Sequence, residues 1–340
     1  MAVRIQDIAR ELNLSPMTVS RVLNRKDGTY IAPETNERVL QAAARMGYRP
    51  NRYARALATG RTNTIAVWIS HLHSSIYTQI AKSCREEIEQ AGLQVSISEL
   101  DWHFQASNSK RRFEWQVDGI IAVDPPEPDR LASFLDDPAL QDIPRVNLGS
   151  GRAVEWEGDY VRVDLCEGTR EAINYLANAG CRRIAYCVPI GAHLPGLGNY
   201  DAYVDSMTKA GLKPELIVHD NWEMATVRQD VREYVRSHGR PDAIYCHTDE
   251  IAIAAFRALR DLKLRVPGEV LIIGCEGNEF MEYFDPPLST ISMPVSQMCH
   301  MAWDLLQRRL QNPESDIEGI VLPHQFLRRE SSSAPLKQHG

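Results

Sequence analysis

The stretch IQDIARELNLSPMTVSRVLN (residues 5–24) decides how the N-terminal part of this chain folds. Its first half carries an apolar stripe with the i, i+3, i+4, i+7 spacing of one helix face, formed by Ile5, Ile8, Ala9 and Leu12. Ser15 is a favoured helix N-cap and Pro16 suits the first helical position, so a second helix is predicted to begin after a short turn. The inward face of this second helix would be formed by Val19, Val22 and Leu23.

A third helix is predicted to begin near Pro33 and to end at Gly47, because glycine commonly terminates helices. Its inward face would consist of Val39, Ala43 and Met46. Two short helices around a tight turn are typical of the helix-turn-helix motif, whose second helix fits the major groove of DNA, about 12 Å wide. Thr18 and Arg21 could then reach base edges. A three-helix protein-interaction module fits the same periodicity, so the spacing alone leaves both alternatives open.

Charge is distributed unevenly along the 340 residues, whose net charge is −7. Residues 1–63 contain 11 basic and 5 acidic residues, a net charge of +6, and the remaining residues contain 27 basic and 40 acidic ones, a net charge of −13. A basic head on an acidic body favours a nucleic-acid-binding module joined to a second function. A solvated basic patch is the alternative that charge alone leaves open.

Composition and motifs argue against several classes of protein. Hydrophobic residues make up 44% and charged residues 24% of the chain, as in ordinary globular proteins. The sequence has no run of about 18 apolar residues and no secretory signal, so we expect a cytoplasmic protein without a membrane span. Seven scattered cysteines form no CxxC pair, and phosphate-binding glycine loops, HExxH and GxSxG are absent. We therefore expect a protein that is not an enzyme and has no cofactor and no metal site.

Two runs, TVSRVLN (residues 18–24) and GYRPNRYARAL (residues 47–57), form a specific pair of motifs. With their surroundings they resemble the opening of the lactose/galactose-repressor (LacI/GalR) family of bacterial transcription regulators, and the resemblance extends to about Arg329. One departure is Asn36, where the family usually has arginine. The resemblance implies a helix-turn-helix that positions or reads the major groove through Ser15, Met17, Thr18, Ser20, Arg21 and Asn24.

The resemblance also implies a hinge helix within residues 51–58, which would be ordered only when it packs on a partner helix in the DNA minor groove. Asn51, Arg52 and Arg55 would contact phosphate or the minor groove. Leu57 would be the apolar wedge that kinks the duplex, with an ordinary linker leucine as the alternative.

The body alternates short apolar strands with amphipathic helices, which predicts parallel sheets with helices on both faces. The predicted strands are 65–69, 93–98, 119–123, 145–148, 184–188, 243–246 and 270–273. The predicted helices lie near 76–91, 167–179, 200–210, 225–237, 249–262 and 296–310. The segment that contains these strands and helices is longer than a single doubly wound domain usually is, which favours two lobes.

The expected fold class is α/β: an N-terminal all-α helix-turn-helix domain with a hinge helix, then a two-lobed, doubly wound regulatory domain that resembles periplasmic binding proteins. The expected domains are 1–50 for the helix-turn-helix, 51–63 for the hinge helix and linker, 64–330 for effector binding and dimerisation, and 331–340 for a disordered tail. The resemblance implies passages between lobes near Arg162, Ile291 and Pro323. The N-lobe would then comprise about 64–162 and 292–322, and the C-lobe about 163–290 and 323–330.

The resemblance places an effector in the cleft between the lobes, at the carboxyl ends of the strands. The family's pocket positions fall on His71, His73, Ser75, Asn199, Trp222, Asp249 and Glu276. Asn199 stands where the family commonly has a ligand-gripping arginine, although a histidine could replace it. The missing guanidinium disfavours an anchored carboxylate or phosphate and favours a neutral sugar or polyol. The alternatives are a core role for Trp222 and a purely helix-terminal charge for Asp249.

The expected protein is therefore a ligand-responsive, sequence-specific DNA-binding regulator, a repressor of carbohydrate uptake or catabolism genes. It would act as a homodimer on a pseudo-palindromic operator, because one helix-turn-helix covers one half-site. A sugar or sugar derivative would change the lobe angle and the order of the hinge helix. A regulator with a non-sugar effector, and an enzyme-derived regulator with a fused DNA-binding head, are the alternatives.

Overall fold

The computed structural model describes residues 3–23, 30–49, 56, 60–70, 74–100, 117–125, 140, 142–150, 158–193 and 198–333. These residues belong to two compact units, Met1–Thr62 and Asn63–Gly340, which we call the head and the body. None of the helices in this described part of the chain is long and apolar enough to cross a membrane.

The head contains three helices, α1 (Ile5–Leu12), α2 (Pro16–Leu23) and α3 (Pro33–Arg45), as the periodicity predicts. Asn13 takes the left-handed conformation after α1, with φ of 53°, and so turns the chain into α2. The Ser15 hydroxyl accepts the Thr18 backbone N–H at 3.1 Å, which confirms the predicted N-cap. The three helices share one small core, formed by Ile8, Ala9, Val19, Val22, Val39, Ala42 and Ala43.

The body contains twelve strands within the described residues. They are β1 (Thr64–Ile69), β2 (Gln94–Glu99), β3 (Gly119–Val123), β4 (Arg145–Gly149), β5 (Asp159–Val163), β6 (Ile184–Pro189), β7 (Glu215–His219), β8 (Ala243–Cys246), β9 (Leu271–Glu276), β10 (Ser289–Ser292), β11 (Gly319–Leu322) and β12 (Gln325–Leu327). The α-helices of the described body are α4 (Ser75–Gln90), α5 (Leu165–Asn178), α6 (Gly198–Lys209), α7 (Met224–His238), α8 (Asp249–Asp261) and α9 (Val295–Gln311).

The strands form two six-stranded sheets, with the orders β11-β5-β4-β3-β1-β2 and β12-β10-β9-β8-β6-β7. All the pairings are parallel except that of β12, which runs antiparallel to β10. Central strands such as β3 (GIIAV) are buried along their whole length, as is usual for parallel strands covered on both faces. The predicted two-lobed α/β fold is therefore confirmed.

The chain passes between the two sheets three times: from β5 to α5, from β10 to α9 and from β11 to β12. Helix α9 packs against α4 and strands of the first sheet, whereas α5 packs against strands of the second. We call the first sheet with α4 and α9 the N-lobe, and the second sheet with α5 to α8 the C-lobe. Each lobe is therefore assembled from more than one stretch of the chain.

The expectation of a disordered tail from residue 331 is wrong at its start. Glu330–Ser332 form a short 3-10 helix in which Ser331 and Ser332 are buried. The Ser331 hydroxyl donates to the Ile272 carbonyl at 2.8 Å and accepts the Ser289 backbone N–H at 2.8 Å. These hydrogen bonds attach the segment to β9 and β10 because its hydroxyls serve both strands. Residues 334–340 lie outside the described part of the chain.

Asp159, the fully buried first residue of β5, joins three segments of the N-lobe. Its carboxylate accepts two hydrogen bonds from Arg309, both of 2.9 Å, and one from Arg308 at 3.2 Å. It also accepts the Glu318 backbone N–H at 2.8 Å. The last turn of α9 and the approach to the edge strand β11 are thereby fixed to β5, the neighbouring strand of the first sheet.

We expect Asp159→Ala to lower the free energy of unfolding by roughly 2–4 kcal/mol, because it leaves the half-buried arginines without their carboxylate. Urea denaturation followed by circular dichroism measures the change. Asp261→Ala is the matched control, since Asp261 also pairs with two arginines but at the surface of α8. Equal losses in the two variants would contradict the special role of Asp159.

Candidate functional site

The outward face of α2 in the head carries the side chains that the sequence predicts to read DNA. Met17 is 63% exposed and Arg21 is also exposed, whereas Thr18 and Ser20 are half-buried. The Thr18 hydroxyl lies 2.8 Å from that of Ser15, which orients it at the start of the helix. The other predicted DNA contacts lie outside the described residues: Asn24, Asn51, Arg52, Arg55 and Leu57.

The carboxyl ends of the parallel strands of the C-lobe bring the predicted residues Trp222 and Glu276 to one edge, together with His219 and His247, which were not predicted. His219 ends β7, His247 follows β8, and Glu276 ends β9. Trp222 follows β7 and is 48% exposed, so the alternative of a core tryptophan is wrong. His71 and His73 lie outside the described residues.

An aromatic cluster surrounds Trp222 at this edge. The centre of its ring system lies 5.9 Å from the His247 ring and 6.3 Å from the His219 ring. The Tyr186 hydroxyl contacts His247 Nδ1 at 2.7 Å. Burial lowers the pKa of His247 to about 4, and burial also lowers the pKa of His219. Both imidazoles are therefore neutral at pH 7 and the cluster offers a ligand an uncharged, partly exposed aromatic surface.

His219 presents an unsatisfied acceptor within this cluster. Its Nδ1 contacts the Asn221 carbonyl at 2.5 Å and so carries the proton. Nε2 is then a bare acceptor, and it is buried without a hydrogen-bond partner among the described residues. Sequence reasoning missed His219, because nothing in its local pattern distinguishes it from a solvent-facing histidine.

Asp249 is more than a helix-terminal charge. This first residue of α8 is fully buried, and its carboxyl accepts the Asn278 backbone N–H and the Thr290 hydroxyl, both at 2.6 Å. Burial raises its pKa to about 8, although these hydrogen bonds act in the opposite direction. Asp249 thus connects α8 to the segment after β9 and to β10.

Glu276 adds a second carboxyl with a raised pKa to the cleft. Burial is the main cause, and the nearby carboxylates of Glu250, Asp249 and Asp124 add to it. Its backbone has a φ of 107°, which is strained for a residue with a side chain, and its Oε2 is buried without a described partner. A carboxyl oxygen of this kind, at the end of a central strand, can pair with a polar group of a ligand, as an acceptor or, when protonated, as a donor.

The N-lobe contributes an acidic group of its own to this cleft. Asp124 follows β3 and accepts the Tyr77 hydroxyl and the Ser150 backbone N–H, each at 3.0 Å. Burial raises its pKa. Sequence reasoning missed Asp124 because it lies in a proline-rich stretch that reads as an ordinary loop. Within the described residues, no group of three or more His, Cys, Asp or Glu side chains could hold a metal ion.

Ser75 is placed in the cleft but is already engaged by protein groups. Its backbone N–H donates to Oε1 of Glu250 at 3.0 Å, and its hydroxyl contacts Glu250 and Asn278. Asn199, at the start of α6, is half-buried. The structure therefore gathers Ser75, Asp249 and Glu276 around one cleft, together with Glu250 and Asn278, which sequence reasoning missed.

Comparison with known proteins agrees with this architecture. Residues 4–51 match the model of the lacI family of bacterial regulatory proteins, and residues 173–332 match a periplasmic binding protein-like domain. The regulator RegA of Clostridium saccharobutylicum is 29% identical over 98% of this chain and 100% of its own length. The repressor PurR of Erwinia tasmaniensis is 26% identical over 98% of each chain.

Solved structures share the fold over nearly the whole chain. A lac repressor dimer bound to operator and the anti-inducer ONPF superposes with a TM-score of 0.83 at 22% identity, covering 98% of this chain and 100% of that one. A LacI-family regulator from Silicibacter pomeroyi gives 0.79 at 22% identity, covering 97% and 99%.

A helix-turn-helix head joined to a two-lobed, periplasmic-binding-protein-like body defines the class of DNA-binding transcriptional regulators that carry a ligand-binding domain. Within that class, residues 4–51 form a lacI-family domain of bacterial regulatory proteins, and the relatives matched over nearly the whole chain are transcriptional regulators.

We expect the Asp249 carboxyl to titrate near pH 8 in the folded protein, far above the ordinary aspartate value of about 3.9. The folded state then holds a proton that the unfolded state releases, so this contribution to stability is lost as the pH rises from about 4 to 8. Carbon-detected NMR of labelled aspartate measures the midpoint. Asp249→Asn should remove that resonance and reduce the pH dependence of unfolding, whereas a midpoint below pH 5 would contradict the assignment.

Proposed function

We propose that this chain is a homodimeric, sequence-specific repressor whose operator affinity is controlled by a sugar or sugar derivative bound between its lobes. The observation that carries the proposal is the outward face of α2, where Met17 and Arg21 are exposed on a helix anchored by a three-helix core. Direct readout of bases requires such a helix, with its side chains free to enter the major groove. The basic charge of the head supports the same role.

In this proposal, the residues that position or read the operator are Ser15, Met17, Thr18, Ser20, Arg21 and Asn24. Asn51, Arg52 and Arg55 contact phosphate or the minor groove, and Leu57 enters the minor groove as a wedge. Two-fold symmetry would match a pseudo-palindromic site, because each head covers one half-site. The similar lac repressor structure, a dimer bound to operator, supports this arrangement.

Selection from a library of random duplexes, followed by sequencing, tests the DNA-binding role. We expect the purified protein to enrich one palindrome with a flexible pyrimidine–purine step at its centre, because such steps kink readily. Selection is repeated in the presence of metabolite extract to include operators that need a bound effector. Failure to enrich any sequence under both conditions would contradict the proposal.

Arg21→Ala should weaken binding to the selected operator by about 1–3 kcal/mol while leaving binding to random DNA nearly unchanged, because a bidentate contact with guanine discriminates between bases. Fluorescence anisotropy with both duplexes measures the two affinities. Arg182→Ala is the control, since Arg182 is an exposed arginine of the body. Equal losses on operator and random DNA would assign Arg21 to phosphate binding instead.

The effector site is supported by the exposed ring of Trp222, which contacts the His219 ring, and by two buried polar atoms without a partner among the described residues, His219 Nε2 and Glu276 Oε2. A sugar offers an apolar ring face for stacking and hydroxyl donors for such acceptors. Structures of the same fold contain cellobiose, ribose and lactose. The predicted contacts of this chain are His71, His73, Ser75, Asn199, Trp222, Asp249 and Glu276.

Calorimetric titration with a panel of mono- and disaccharides should identify a ligand whose affinity falls roughly tenfold in Trp222→Ala, because the stacking surface is lost. Tyr30→Ala is the control, since Tyr30 is an 89% exposed aromatic residue of the head. Binding of anionic or purely aromatic metabolites, with none of the sugars bound, would contradict the proposed effector class.

A further inference from the structure

We propose that Glu250 is a positioning residue that holds the two lobes together, through an interlobe latch formed by Ser75, Glu250 and Asn278. Ser75 begins α4 of the N-lobe, Glu250 lies in the first turn of α8 of the C-lobe, and Asn278 follows β9. The inference rests on the proposed function in one respect only: the lobe arrangement is taken to carry the effector signal to the head.

The donors and acceptors of the latch are mutually consistent. The Ser75 backbone N–H donates to Glu250 Oε1 at 3.0 Å, and the Ser75 hydroxyl donates to the same oxygen. That hydroxyl in turn accepts a hydrogen bond from Asn278 Nδ2. Each of these three hydrogen bonds therefore joins a donor to an acceptor, and the partners lie 175 and 203 residues apart along the chain.

Helix α4 depends on this contact for its N-terminal capping. The first N–H groups of a helix have no partner within the helix, and the N-terminus carries a partial positive charge. Ser74, the N-cap residue of α4, makes no side-chain hydrogen bond to these groups. The carboxylate of Glu250 provides an acceptor and a negative charge at this position from the opposite lobe, so opening the lobes leaves α4 without this cap.

The latch is continuous with the buried network of the C-lobe. The Asn278 backbone N–H donates to Asp249, and Thr290 donates to the other oxygen of Asp249. Thr290 lies in β10, from which the chain passes into α9 of the N-lobe. A change at Ser75 is therefore transmitted through hydrogen bonds to one of the strands that joins the lobes.

Ser75 and Glu250 therefore stabilise the closed arrangement of the two lobes. An intact latch keeps the lobes in contact before an effector binds, so the effector does not have to supply the whole free energy of closure. Removing the latch should then populate an open form in the ligand-free chain, a change that requires neither DNA nor effector to be observed.

The test is a distance measurement by pulsed electron spin resonance on the full-length, ligand-free protein. Spin-labelled unnatural amino acids replace Lys209 on α6 of the C-lobe and Gln311 at the end of α9 of the N-lobe, both of which are exposed. An excess of unlabelled chain keeps the measured distances within one protomer. Wild-type protein should give one narrow distribution, that of the closed form, and an open form should add a second, resolved distance.

Glu250→Ala should raise the ratio of open to closed protein roughly tenfold or more, because a charge-assisted hydrogen bond and a helix cap are both lost. Glu250→Gln should retain most of the closed form, since its amide oxygen can still accept from Ser75. Glu233→Gln, a substitution at an exposed glutamate of α7, is the matched control and should leave the distribution unchanged.

Two results would overturn the proposal: an unchanged distance distribution in Glu250→Ala, or equal opening in the Gln and Ala variants. Should Glu250→Ala fail to fold by circular dichroism, Ser75→Ala replaces it, because it removes the hydroxyl shared by the other two residues. An unchanged distribution in Ser75→Ala then overturns the latch. The proposed function is tested by a separate experiment, the selection of operator DNA, whose result does not depend on the distance between the lobes.

Discussion

Each six-stranded sheet of the body contains one strand from late in the chain. That strand comes after most of the strands of the other sheet in sequence order. The first sheet receives β11 after β10 has formed in the second, and the second sheet receives β12 last. Neither lobe is therefore a continuous segment, and three connections join them. These three connections keep the edges that carry Trp222 and Asp124 facing one cleft.

The carboxyl groups at that cleft serve two purposes that are hard to separate. Asp249 accepts hydrogen bonds from within the C-lobe and Glu250 accepts them from the opposite lobe, whereas Oε2 of Glu276 has no partner among the described residues. Burial and the neighbouring acids raise the pKa of Asp249 and of Glu276, so a proton or a donor-rich ligand must accompany the burial of these two groups. Recognition of hydroxyl groups and contact between lobes are thus built from one set of side chains, and a change in either affects the other.

The sequence was most informative where structure is local. The helices of the head and strands such as β3 follow from spacing and apolar runs, because nearby residues decide both. Strands β5, β7, β10, β11 and β12 were not predicted, since short strands at or near sheet edges are defined by their neighbours. Trp222 and Glu276 were found through resemblance. Glu250 and Asn278 were not, because their partner Ser75 is distant in sequence and no local pattern marks the contact.

The buried hydroxyl of Ser331 has a consequence for synthesis of the protein. It bonds to Ile272 and Ser289 in the second sheet, beside the antiparallel strand β12. A nascent chain on the ribosome cannot complete this sheet until β12 has left the exit tunnel, and it cannot fix the sheet to the following segment until Ser331 has emerged as well. Until β12 emerges, β10 has an unpaired edge, the kind of surface that attracts other strands. The head, whose core is closed by residue 43, can by contrast be complete while the rest is still being translated.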